Sequence, residues 1–82
     1  MKDFVLRMMK EEEDLAVKIE KLDAFLKLHK EELPLIKRNL MTIQLNQMIA
    51  YDLILAQRIS IELEEEEKEK NWKWILSAFY RL

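Results

Sequence analysis

Residues 39–57 form a stretch of nineteen residues that contains no lysine, no arginine and a single acid, Asp52. The chain around this stretch is dense in charge, since Asp, Glu, Lys and Arg make up 37% of the sequence. In a simple hairpin, a helix buries an apolar stripe that covers about a third of its surface. The large apolar residues here lie around most of a helix: Leu40, Ile43, Leu45, Met48, Ile49, Leu53, Ile54 and Leu55. One neighbouring helix cannot cover them all, so we expect the chain to self-associate.

The fold class follows from the residues that the chain lacks. It has no glycine and only one proline, Pro34, so it has almost no residues suited to the tight turns of a sheet. Its 82 residues make one small domain whose own core is only marginally stabilising. The sequence therefore predicts an all-α fold, with further apolar burial supplied by assembly.

Apolar residues at alternating steps of three and four predict a first amphipathic helix over residues 3–29. They are Val5, Met8, Leu15, Ile19, Leu22 and Leu26. Glu12 occupies the one position of this pattern that is not apolar. We expect Asp3 to cap the start of this helix. Lys27, His29 and Lys30 would lie near its C-terminus, where positive charge is favourable.

A turn is expected at residues 31–33, followed by a second helix that begins at Pro34, because proline lacks an amide hydrogen and suits the first turn of a helix. This second helix carries two interleaved apolar stripes. One contains Ile36, Leu40, Ile43, Ala50, Ile54 and Ile61, and the other contains Met41, Leu45, Met48, Leu55 and Ile59. We expect one stripe to pack on the first helix and the other to meet a partner chain.

The hairpin, residues 1–60, is followed by an extension, residues 61–82, of different character. Glutamates and lysines spaced four apart support helix in its first part, so the second helix either continues or gives way to a short helix capped by Asn71. The last residues form an amphipathic, aromatic segment.

The expected architecture is thus an antiparallel helical hairpin with a long second helix and a C-terminal helical extension, assembled into a symmetric homo-oligomer. We place its interface at Ile43, Met48, Ile49, Leu53, Trp72, Trp74 and Phe79.

Several classes of function are disfavoured by composition. The chain has no cysteine and one histidine, His29, so the usual ligands for a metal and the usual catalytic groups are missing, and we expect no enzyme, metal or cofactor. Without glycine there is no phosphate-binding loop. The fourteen Lys and Arg residues are spread among sixteen acids, which disfavours DNA or RNA. The polar residues within 39–57 exclude a membrane span.

The hairpin geometry points to one candidate binding site. A turn centred near Glu32 places Arg7 close to Arg58, and two arginines repel each other unless an anion lies between them. That anion is either a carboxylate of the protein or a phosphate of a ligand, which arginine binds bidentately. The candidate ligand-binding residues are Arg7, Glu11, Lys18, Lys21, Gln47, Tyr51 and Arg58.

Residues 7–25 carry the pattern RxxxExxxLxxKIxKLxAF and residues 44–59 the pattern QLxxMxxYxxILxxRI. Over residues 4–60 the chain resembles a family of small phage and prophage proteins named after a reading frame of a crAss-like phage. The resemblance implies a virus-encoded accessory protein in the host bacterial cytoplasm, and it implies no reaction. The chain departs from the family pattern at Ile43, Ile49, Leu53 and Ala56, which enlarges its apolar surface.

Two functional hypotheses follow from this resemblance and from the candidate site. In the first, the oligomer is an anti-defence protein that captures a cyclic nucleotide immune signal without turnover, by analogy with viral proteins that sequester such signals. Arginines would hold phosphate, and Tyr51 would stack on a base. In the second, the C-terminal amphipathic segment inserts into a groove on a host defence protein and inhibits it.

Overall fold

The computed structural model describes the backbone of residues 2–80 and the side chains of residues 2–68. The chain forms two helices, α1 (Asp3–His29) and α2 (Leu35–Tyr80), joined by residues 30–34. No strand occurs within residues 2–80, so the predicted all-α hairpin is confirmed. α2 runs unbroken through the acidic segment, without a new helix at Asn71. The interface prediction for Trp72, Trp74 and Phe79 lies outside the residues whose side chains are described.

The start of α1 differs from the expectation. Lys2 is the N-cap residue, with φ −71° and ψ 147°, and no side chain caps the helix. The prediction that Asp3 is the cap is therefore wrong, because Asp3 is already the first helical residue. Its carboxylate still lies in the first turn, where the helix dipole favours negative charge.

The connection between the helices is short and hydrogen-bonded. The amides of Glu32 and Leu33 donate to the His29 carbonyl over 3.0 and 3.1 Å, which closes the turn. α2 begins at Leu35, one residue after the predicted start at Pro34. Pro34 precedes the helix and accepts its first hydrogen bond, from the amide of Arg38 over 3.0 Å. Because proline has a fixed φ and no amide hydrogen, it directs the chain into α2 without leaving a donor unpaired.

The core is a single seam between α1 and α2. Val5 and Leu55 are fully buried, and Met8, Leu26 and Leu45 are nearly so. The stripe of α2 that packs on α1 is the one formed by Met41, Leu45, Met48, Leu55 and Ile59, all buried or half-buried. Met48, predicted as an interface residue, thus lies on the side of α2 that faces α1.

A second face of α2, within residues 35–61, is exposed and largely apolar. The other predicted stripe faces away from α1, and its large members are more than half exposed: Ile36, Leu40, Ile43, Ile54 and Ile61. Ile49 and Leu53 are also exposed, at 40% and 60%. The Cα atoms span 73 × 16 × 15 Å, so the hairpin is a thin rod with no second layer over these residues. Within the described part of the chain, no helix is long and apolar enough to cross a membrane.

Candidate ligand-binding groove

A groove of about 380 Å³ lies between the N-terminal half of α1 and the middle of α2. Its lining is mainly charged, with one aromatic ring and one apolar side chain: Arg7, Lys10, Glu11, Asp14, Leu15, Lys18 and Tyr51. The residues from α1 recur at steps of three and four, which places them on one face of the helix beside the seam. The half-buried Leu15 belongs to the apolar pattern of α1, so the groove borders the core.

A hydrogen bond between the two helices fixes the aromatic wall of the groove. The Tyr51 hydroxyl donates to Glu11 Oε1 over 2.6 Å. This bond raises the pKa of the Tyr51 hydroxyl above its ordinary value, an effect that the nearby positive charge of Arg58 partly opposes. The tyrosine therefore stays neutral at physiological pH. Tyr51 is 43% exposed and lines the groove.

Some of the charged side chains that line the groove already have a partner within the protein. Lys10 Nζ donates to Asp14 Oδ1 over 3.1 Å, and this contact raises the pKa of Lys10. Glu11 is already held by Tyr51, so both acids of the groove have a partner. Arg7 and Lys18 form no ion pair with any described side chain. The groove thus presents two cations, Arg7 and Lys18, without an ion-pair partner among the described side chains, which favours an anion.

The structure brings together four of the seven predicted ligand-binding residues. Arg7, Glu11, Lys18 and Tyr51 all line the groove. Arg58 does not line it, although its charge acts on the Tyr51 hydroxyl. The two remaining predicted residues, Lys21 and Gln47, are exposed and lie outside the groove.

Comparison with known families identifies the chain. The model of the family named Sequestin matches residues 2–61, which is most of the chain. The chain belongs to the Sequestin family. No curated protein and no solved structure matches it.

The Sequestin match covers the whole groove and leaves out most of the C-terminal extension. Every residue that lines the groove lies between residues 7 and 51, and Arg58 also lies within the matched range. The match covers nearly the same residues as the resemblance to small phage proteins, residues 4–60. The part of this chain that is typical of Sequestin is therefore the hairpin that builds the groove.

A second polar feature of the Sequestin hairpin was missed by the sequence-based prediction. Glu12 of α1 and Asp52 of α2 meet in the seam, and their contact raises the pKa of the Glu12 carboxyl. Asp52 Oδ1 is buried and receives no hydrogen bond from a backbone or basic donor. When Glu12 is protonated, its carboxyl is a donor for Asp52, which is the first cause of the raised pKa of Glu12. The sequence does contain an indication of this contact. Glu12 and Asp52 are each 20 residues from Glu32 at the turn, so an antiparallel hairpin places them at the same level.

Lys10 is another residue of the groove that the prediction did not include. Its spacing of four from Asp14 is typical of an ion pair on one helix face and marks the same polar face as Arg7 and Lys18. The single histidine lies elsewhere. His29 Nδ1 is 3.2 Å from Glu32 Oε2, and its ring centroid is 4.8 Å from that of Phe25, at the turn end of the hairpin.

Proposed function

We propose that this protein sequesters a small anionic signalling molecule of the cyclic nucleotide type in the groove, and that it releases the molecule unchanged. The name of the family, Sequestin, denotes a sequestering binder. The groove contains cations for phosphate and an aromatic ring for a base.

The observation that carries this proposal is the pairing of charges within the groove. The charge of Asp14 is compensated by Lys10, whereas Glu11 keeps its negative charge and accepts a hydrogen bond from Tyr51. The three cations and two acids of the lining leave a net charge of +1. Arg7 and Lys18 remain for the ligand. Arginine binds a phosphate bidentately, and lysine adds a second positive charge. The lining is therefore net positive, in a chain whose formal net charge is −2.

Tyr51 supplies the second element of nucleotide recognition. Any nucleobase can stack on an aromatic ring, because every base has a π face. The hydrogen bond to Glu11 holds the ring in one orientation before the ligand arrives. A ring that is already fixed loses less conformational entropy when it binds.

In the biological setting that we propose, the protein is a phage-encoded accessory factor in the cytoplasm of a bacterial host. It would lower the free concentration of an immune signal and so prevent activation of a defence effector. Capture without turnover is stoichiometric, and assembly into a symmetric homo-oligomer would supply several grooves in one particle.

Isothermal titration of the full-length protein tests the proposal. The ligands are a panel of cyclic dinucleotides, cyclic trinucleotides and cyclic ADP-ribose isomers. We expect saturable heat with at least one of them, and chromatography of the recovered ligand should show it intact. Flat heats with every member of the panel, from a sample that is helical by circular dichroism, would refute capture. A ligand recovered in altered form would refute binding without turnover.

Variants at Arg7 locate the site. Loss of two charge-assisted hydrogen bonds in Arg7→Ala should weaken binding by about 10- to 100-fold. Arg7→Lys keeps the charge but loses the bidentate geometry, so its affinity should lie between those of the wild type and the alanine variant. Lys30→Ala is the matched control, because Lys30 is an exposed cation in the turn, outside the groove. An equal loss of affinity in the Lys30 variant would contradict the proposed site.

A further inference from the structure

Glu11 carries a negative charge in a groove whose other features favour an anion. It is exposed, it lines the groove, and it forms no ion pair with any described side chain, not even with Arg7 one helical turn earlier. A neutral side-chain oxygen could accept the hydrogen bond from Tyr51 equally well and would not repel a phosphate. Orientation of the tyrosine alone therefore does not account for a carboxylate at this position.

We propose that Glu11 accepts a hydrogen bond from a sugar hydroxyl of the bound nucleotide, so that the groove selects ribose ligands over their deoxy counterparts. This inference rests on the proposed function, since it names the part of the nucleotide that Glu11 recognises. Glu11 is then a specificity-determining residue as well as the partner of Tyr51.

The Glu11 carboxylate has capacity for a further donor. An ionised carboxylate offers about four lone-pair positions on its two oxygens. The Tyr51 hydroxyl occupies one of them, on Oε1. Within residues 2–68, no other side-chain hydrogen bond reaches Glu11. Oε2 is therefore open to a donor from a ligand in the groove.

The order of side chains along the groove matches the order of the parts of a nucleotide. At a rise of about 1.5 Å per residue, Glu11 lies about 6 Å from Arg7 along the axis of α1 and about 10 Å from Lys18. Tyr51 lies at the level of Glu11, because its hydroxyl contacts Glu11 Oε1. The sugar of a nucleotide connects the phosphate to the base. A phosphate on Arg7 and a base on Tyr51 therefore bring the sugar to Glu11.

A sugar hydroxyl is the donor that suits a carboxylate at this position. An O–H group that donates to an ionised oxygen forms a charge-assisted hydrogen bond, which is roughly twice as strong as a neutral one. Acidic side chains bind ribose hydroxyls in this way in dinucleotide-binding folds. A phosphodiester has no proton to donate and is repelled by Glu11. The carboxylate thus also directs the phosphate towards the cations of the groove.

Isothermal titration of the full-length protein with matched ligand pairs tests the inference. The ribose ligands are cyclic di-AMP, cyclic tri-AMP and cyclic ADP-ribose, each compared with analogues that lack one free sugar hydroxyl. Removal of the hydroxyl that Glu11 binds should weaken binding by about tenfold or more, because a hydrogen bond to a charged group is lost. Equal affinities for a bound ribose ligand and all its deoxy analogues would overturn the inference and leave the proposed function standing. No binding by any ribose ligand would instead refute the proposed function, and the inference with it.

Two variants separate recognition of the sugar from orientation of the tyrosine. Glu11→Ala and Tyr51→Phe both break the bond between the hydroxyl and the carboxylate, but only Glu11→Ala removes the acceptor. We expect the preference for ribose to vanish in Glu11→Ala and to persist in Tyr51→Phe, although Tyr51→Phe weakens the binding of both ligands of a pair.

Glu13→Ala is the matched control for the loss of an acid. Glu13 is exposed on α1, two residues after Glu11, and lies outside the groove, so its replacement should leave the preference unchanged. Circular dichroism verifies that each variant remains helical. A wild-type preference for ribose in Glu11→Ala would overturn the inference. Loss of the preference in both Glu11→Ala and Tyr51→Phe would also overturn it, because Glu11 would then act only through the tyrosine.

Discussion

At the residue scale, Glu12 interrupts the apolar pattern of α1, and its contact with Asp52 makes the stability of the hairpin depend on pH. The contact with Asp52 raises the pKa of Glu12 above that of the unfolded chain, so the folded hairpin binds the proton more tightly. A group with a raised folded pKa contributes stability that is fully present below its unfolded pKa and is lost as the pH rises through the folded pKa. The Glu12–Asp52 pair therefore stabilises the hairpin under mildly acidic conditions and weakens it at neutral pH.

The substitution Glu12→Gln tests this consequence. An amide can donate to Asp52 at every pH, so the variant should unfold at a higher temperature than the wild type at neutral pH. The wild type should gain stability between about pH 7 and about pH 4, and the variant should gain less. Thermal unfolding followed by circular dichroism measures both. Glu20→Gln, an exposed change on α1, should retain the wild-type pH dependence. Identical pH profiles for Glu12→Gln and the wild type would contradict this role of the Glu12 carboxyl.

Tyr51 has two proposed roles in the groove: its hydroxyl bonds to Glu11, and its ring offers a stacking surface for a base. Two substitutions separate these roles. Tyr51→Phe keeps the ring but removes the hydrogen bond that fixes its orientation against Glu11, so ligand binding should weaken moderately. Tyr51→Ala also removes the stacking surface and should weaken binding further, by about tenfold or more. Isothermal titration compares the two variants. If the phenylalanine variant bound as poorly as the alanine variant, stacking would not be the main contribution of the ring.

At the element scale, the sequence predicted the two helices and the two apolar stripes of α2, but it did not determine which stripe packs on α1. The spacing of Val5, Met8 and Leu26 indicates the buried face of α1, and Leu45 and Leu55 mark the matching face of α2. The helix start was mispredicted, because capping depends on local backbone geometry that one acidic residue does not determine. The Glu12–Asp52 contact was missed because it depends on the register of two distant segments, which an error of one residue at the turn would shift.

The seam should be far more sensitive to truncation of side chains than the exposed face. Leu55 is fully buried, so Leu55→Ala should destabilise the hairpin by about 2–5 kcal/mol, the usual range for a buried leucine. Ile36→Ala removes a side chain that is 66% exposed and should change the stability of the hairpin little. Chemical denaturation of both variants measures the difference. Equal effects would contradict the assignment of the seam.

The last part of the C-terminal extension, residues 71–82, lies outside the Sequestin match and can be removed in a truncated chain. Because the Sequestin match ends at residue 61, a chain that stops after Lys70 should keep the hairpin and its ligand affinity. Titration and solution mass of the shortened chain check this. A truncated chain that binds ligand normally but no longer blocks a host defence would instead support the second hypothesis, in which the extension inserts into a groove on a host protein.

At the scale of the whole molecule, the protein is a thin two-helix rod with different chemistry on its two flanks. One flank carries the groove with Arg7, Lys18 and Tyr51, and the other carries an apolar surface around Leu53 and Ala56, which we call the apolar flank. The sequence predicted that α2 is too apolar for one neighbour, but it did not place the groove and the apolar flank on opposite sides. That separation follows from the register of the hairpin, and it allows assembly and ligand capture to coexist.

The central claim is that an anionic nucleotide binds in the groove lined by Arg7 and Tyr51. An NMR titration of the isotopically labelled full-length protein with the tightest ligand of the panel tests it most directly. The account predicts saturable chemical-shift changes in α1 from Arg7 to Lys18 and at Tyr51, with none around Leu53 and Ala56. Shifts concentrated on the apolar flank, or saturation that leaves Arg7 and Tyr51 unchanged, would contradict it.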